Sequence, residues 1–161
     1  MDKIEELLKD PKTDLQKQAL TDKSYKKTPN NQDCKINFEL ATYGDAILKC
    51  VLCKIYFERE DEDNFGFKGK LTEWKKQYES DEVLVKFIAR HYDILNFLNF
   101  DRDDTKKPHD YDYQGKNAKK RYKYIATAME ASIAAVYIEN GENEVIEIVK
   151  QWIEWIDESK S

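Results

Sequence analysis

Apolar residues recur along this chain at intervals of three and four and nowhere in sustained alternation, so the pattern predicts helices and no sheet. Ile4, Leu7 and Leu8 mark a short amphipathic helix that Pro11 ends, and a second short helix is expected over 14–20. Residues 25–35 read as a loop centred on Pro29-Asn30-Asn31. The main helix follows, with Ile36, Leu40, Tyr43, Ile47, Leu48, Val51, Leu52, Ile55 and Tyr56 at helical spacing. It runs into the acidic stretch 58–63, whose charges should face water. Two or three helices fill 70–98, carrying Leu71, Trp74, Tyr78, Val83, Leu84, Phe87, Ile88, Ile94 and Leu95, and 101–114 is a polar, Tyr-containing loop. A long helix is expected from near Asn117 to Ile138, with Ala126, Ala131, Ala134 and Ala135 small enough for a neighbour to pack closely. Asn140-Gly141 stops it, since both residues tolerate the left-handed conformation of a helix C-terminus. A last helix over 142–157 presents Val145, Ile148, Val149, Trp152 and Ile156 to the core. The expected architecture is an all-α bundle.

Length and charge narrow this picture. A chain of 161 residues with 40% apolar and 37% charged residues has the makings of one helical domain over 1–161. Residues 1–8 are too charged for a secretory signal, and the most apolar stretch, 46–57, is interrupted by Lys49 and Lys54. An intracellular, cytoplasmic protein without a membrane span is expected. Cys50 and Cys53 form a lone C-x-x-C with no second pair to close a zinc site, so they are expected to be small buried residues. His91 and His109 lie beside no Ser or Cys nucleophile in sequence, which leaves a nucleophile–histidine triad unsupported. The net charge of −5 argues against broad nonspecific binding to nucleic acid, which depends on neutralising phosphates. Local basic surfaces remain: Lys116, Lys119, Lys120, Arg121 and Lys123 form one cluster, and Lys23, Lys26 and Lys27 a smaller one.

Four segments, taken in order, sharpen the reading. Ala19-Leu20-Thr21-Asp22-Lys23-Ser24-Tyr25 is similar to A-L-T-H-R-S-Y. Asn37 to Leu48, N-F-E-L-A-T-Y-G-D-A-I-L, is similar to N-E-R-L-E-F-L-G-D-A-V-L. Lys68-Gly69-Lys70-Leu71-Thr72 is similar to E-G-x-L-T, and Ile125 to Gly141 is similar to L-A-D-x-F-E-A-L-I-G-A-x-Y-L-D-x-G. Each is weak alone; four in sequence order are specific. Together they resemble the nuclease domain of the ribonuclease III family, and the resemblance covers nearly the whole chain.

That resemblance implies an all-α endonuclease-domain bundle that acts on double-stranded RNA with Mg²⁺, a hard ion held by carboxylate oxygens. In the family two carboxylates stand at i, i+4 on the signature helix and two at i, i+3 on a later one, each pair on one helix face. Here Asp45 and Glu130 keep two of those positions, and both are the candidate catalytic and metal-binding residues. Ala41 and Thr127 replace the other two carboxylates, and further acidic positions become Phe38 and Lys68. Glu39 stands six residues before Asp45, which turns it away from that face. The resemblance therefore implies weak or absent Mg²⁺ binding, with Mn²⁺ as an alternative ion, and RNA cleavage that is weak or lost. Candidate RNA contacts are Lys116, Lys119, Lys120 and Arg121. The family's dimer contact, a Phe before L-G-D, becomes Thr42, with Tyr43 beside it, so a homodimer or a heterodimer with another ribonuclease III-like subunit is expected. The family's usual double-stranded RNA-binding domain is not expected within this chain. The alternatives are an active endonuclease with a reduced metal site, and a structural or partner subunit of an RNA-processing or ribosomal complex.

Overall fold

A computed structural model describes residues 1–59 and 70–161. The described chain is helical, with one isolated parallel bridge, Thr21–Asn99, and no strand among the described residues. Helix α1 is Lys3–Lys9, opened by Asp2, whose side chain accepts from the Glu5 N–H. Helix α2 is Asp14–Ala19, capped in the same way by Thr13 on Gln16. The expected loop holds two 3₁₀ turns, Lys23–Lys27 and Pro29–Asn31. Helix α3 is Phe38–Glu58, so Ile36 precedes it. Helix α4 is Lys70–Glu79; α5, Asp81–Val83, winds through a π-helical segment, Leu84–Ala89, into α6, Arg90–Tyr92. After the 3₁₀ turn Ile94–Asn96 and the polar loop come α7, Ala118–Arg121, α8, Lys123–Asn140, and α9, Glu142–Ser159.

Helix α8 is the axis of the bundle. Every residue from Tyr124 to Val136 is buried, and α1, α2, α3, α9 and the π-helical segment all pack on it. A helix enclosed all round can carry little polar surface. That makes its buried polar residues Thr127, Glu130 and Ser132 informative. The most extensive contact is between α3 and α8, and Gly44 makes it possible: a Cβ there would lie 1.7 Å from the backbone oxygen of Glu130. The alanines of α8 are buried as expected, but the closest approach is set by this glycine on the partner helix.

Several expectations need correction. The long helix breaks at Tyr122, which separates α7 from α8; its hydroxyl donates to Asp110 and its ring packs against Tyr113. Cys50 is exposed and Cys53 half-buried, so neither is a core residue. Tyr43, expected beside the dimer contact, lies on the outer face of α3 and is 45% exposed. Gly141 does end α8, with φ 90° and ψ 177°, an extended glycine conformation rather than the left-handed helical one. Lys68 and most of the acidic stretch lie outside the described residues.

Candidate active-site pocket and its basic rim

One face of α3 and one face of α8 converge on a pocket of about 630 Å³. From α3 come Phe38, Ala41, Thr42, Asp45 and Lys49; from α8 come Lys123, Thr127 and Glu130. Helical spacing explains both sets, since steps of three and four keep side chains on one face. The two candidate carboxylates are thus brought together, and so are the uncharged positions Ala41 and Thr127. Glu39 is exposed and does not line this pocket.

Asp45 and Glu130 influence each other across this pocket and differ sharply in character. Glu130 is 6% exposed. Burial first, then the Asp45 side chain and its charge, push the Glu130 carboxyl up to about 8, so it is protonated at neutral pH. Partial burial works against ionised Asp45, yet the hydrogen bond from Lys49 and then the Glu130 side chain hold it below the ordinary carboxylate value. Lys49 Nζ stands 2.6 Å from Asp45 Oδ2, and that bond raises the lysine's own pKa. Of the other acids of the pocket, Asp81 pairs with Lys123 at 3.1 Å and Glu82 with Lys86 at 3.4 Å, while Glu79 lies 3.8 Å from Lys75 with its buried Oε2 making no hydrogen bond among the described residues.

The basic cluster divides around this pocket. Lys119 lines it, whereas Lys120 and Arg121 line an adjoining cleft, and Lys116 is exposed but lines neither. The cleft is also lined by Lys23, Lys106 and Lys107. Its walls are fixed by the first motif: Asp22 N–H donates to the Asn99 carbonyl, Asn99 N–H to the Leu20 carbonyl, and Asp101 N–H to Ser24 Oγ. Asn37 ties the start of α3 to the same stretch of chain, donating to the carbonyls of Thr21 and Ala19. His91 stacks on Trp155 and His109 lies beside Phe100, so both histidines have packing roles.

A family model described as Ribonuclease-III-like matches residues 12–155. This chain belongs to that family. The ribonuclease-III-like domain is 27% identical over 140 residues to ribonuclease 3 of a Nitratiruptor species, covering 87% of this chain and 54% of that protein. It therefore spans about half the length of that relative. Two solved structures of the nuclease domain of ribonuclease III from Campylobacter jejuni share its fold, with TM-scores of 0.68 and 0.67 at 24% and 23% identity. Both cover 94% of this chain, and the chain covers 94% and 91% of theirs. The first describes structural flexibility in that protein's region of dimer formation.

The family reading implies divalent metal, and the donors of this ribonuclease-III-like domain fit a two-metal centre poorly. Among the described residues no group of three or more His, Cys, Asp or Glu is placed to hold an ion. Asp45 is already held by Lys49, and a protonated Glu130 is a hydrogen-bond donor rather than an anionic ligand. Reading the sequence missed Lys49, although its i, i+4 spacing from Asp45 was visible. It also missed Lys106 and Lys107, which reach the cleft from a loop.

Proposed function

We propose that this domain engages double-stranded or structured RNA and cleaves it weakly or not at all. One observation carries this reading: Asp45 and Glu130 stand together on crossed helices beside Ala41 and Thr127, with the Lys49 ammonium on Asp45. This arrangement supports the reading of a carboxylate cluster with half its charge removed. Asp45 and Glu130 remain the residues proposed to carry any residual metal binding or catalysis, with a single Mg²⁺ or Mn²⁺ bound weakly. Losing even an outer partner of a metal site typically costs about 10–100-fold in affinity or activity. The rim residues Lys116, Lys119, Lys120 and Arg121 are proposed to meet the RNA backbone.

A role as a subunit is supported by a separate observation. Tyr43 and Ile138 are exposed apolar residues on α3 and α8, and Tyr43 packs against Tyr137 at 5.9 Å between ring centroids. Covering them favours pairing with a second copy or with another ribonuclease III-like chain. No described helix is long and apolar enough to cross a membrane.

The deciding experiment is cleavage of long double-stranded RNA with Mg²⁺ and with Mn²⁺, using Asp45→Ala as control. Slow or absent cleavage is expected. Efficient cleavage that Asp45→Ala abolishes would establish the active-endonuclease alternative.

A further inference from the structure

The cleft beside the carboxylate pocket encloses about 820 Å³, within the range of roughly 300–1,000 Å³ typical of small-ligand sites. Lys23, Lys106, Lys107, Lys120, Arg121 and Lys123 line it against only Asp22 and Asp104. Both acids are already paired, Asp22 with Lys107 at 3.4 Å and Asp104 with Lys27 at 3.7 Å. Lys23, Lys106, Lys120 and Arg121 carry no ion pair among the described residues. The surplus of positive charge is therefore real, and it suits phosphate.

Phe38 supplies the second half of the site. It is the first residue of α3, it is 60% exposed, and it lines both the cleft and the carboxylate pocket. An aromatic ring held open between lysines is a platform for a nucleobase, whose π-face matches it whatever the base. Base faces are free to stack in this way only where a strand is unpaired, because a duplex already stacks them. Lys123 and Thr127 also line both spaces, so a strand leaving the cleft enters the pocket of Asp45 and Glu130 directly.

We propose that this cleft holds an unpaired nucleotide of an RNA strand, its base on Phe38 and its phosphates on Lys23, Lys120 and Arg121. The proposal rests on the RNA reading above and narrows it to structured RNA that carries a single-stranded end or bulge beside the duplex.

Fluorescence anisotropy with the whole chain tests it, using a short blunt RNA duplex and the same duplex with a single-stranded overhang. The overhang should tighten binding by about tenfold. Phe38→Ala should remove that advantage, whereas Phe38→Trp should keep it. Lys120→Glu should weaken both probes and the overhang probe more, since this lysine is set on the phosphates of the unpaired nucleotide. A blunt duplex that binds while the overhang adds nothing overturns this inference and leaves the RNA reading standing. So does Phe38→Ala altering sedimentation but not RNA binding, which would assign the ring to a second copy. Failure of both probes to bind overturns the RNA reading and this inference together.

Discussion

Gly44→Ala sets two effects of opposite sign against each other. In the middle of a helix, replacing Gly by Ala ordinarily stabilises by about 1 kcal/mol, because the glycine backbone has more freedom to lose. At this position the added Cβ would sit 1.7 Å from the Glu130 oxygen, 2.5 Å from its carbonyl carbon and 3.2 Å from its Cα. All three are backbone atoms, so no rotamer change relieves the clash. Restoring an ordinary contact of 3.4 Å requires the two helices to part by about 1.7 Å along that line. Overpacking a core costs about 1–3 kcal/mol, occasionally more, and here it strikes the most extensive helix contact in the domain. The clash should win, with a net loss of about 2 kcal/mol. For a domain of this size that corresponds to a fall of roughly 4–8 °C in Tm. Thermal melts followed by circular dichroism measure it. A variant with unchanged or raised Tm would show that helix propensity dominates and that α3 and α8 do not approach so closely.

Three further outcomes are expected. Glu130 is raised from 4.5 to about 8 in the folded chain, so between those values the folded state holds a proton that the unfolded state has released, and stability falls as pH rises. Glu130→Gln cannot titrate, so its Tm relative to the unmodified chain should climb from pH 5 to pH 8; parallel pH profiles would refute the assignment. Ala41→Glu with Thr127→Asp should strengthen Mn²⁺ binding measured by calorimetry, and adding Lys49→Ala should strengthen it further by freeing Asp45; no heat from either variant would count against this pocket as the metal position. Lys119→Glu with Lys120→Glu should weaken binding to any duplex sequence several-fold, and the slope of log affinity against log salt should become shallower by about one for each phosphate no longer neutralised; unchanged affinity would place the RNA surface elsewhere.

The helices were legible because burial against one axis imposes periodicity on every element that touches it. Val145, Ile148, Val149, Trp152 and Ile156 are spaced for one face of α9 and are all buried there. What periodicity does not carry are contacts made by residues distant in sequence. At the break Tyr122 bonds Asp110 and packs on Tyr113, and neither partner leaves a trace in the local pattern. Tyr43 and Cys50 sit on helical spacing yet face outward, because spacing defines a stripe without saying which of two adjacent stripes is covered. Gly44 belongs to a motif, but its role depends on an atom of Glu130 that only the crossing of α3 and α8 brings near.

The pocket divides along the same physical line. Asp45 and Glu130 could be paired in advance because motif spacing fixes each on its helix face, and the crossing of the helices does the rest. The charge balance could not, since it combines burial with partners from several elements. Removing carboxylates at positions 41 and 127 takes away two negative charges, and a site built to surround a divalent ion would then be left with an excess of positive charge once the ion was bound. Here the two retained acids and their neighbour Asp81 are already accounted for. Asp45 is matched by Lys49, Asp81 by Lys123, and buried Glu130 stays neutral by keeping its proton. A divalent ion entering this arrangement must displace an ammonium from Asp45 and a proton from Glu130 before gaining either ligand. On the proposed function, weak cleavage would therefore have two causes, missing donors and occupied ones, and restoring the missing carboxylates alone would address only the first.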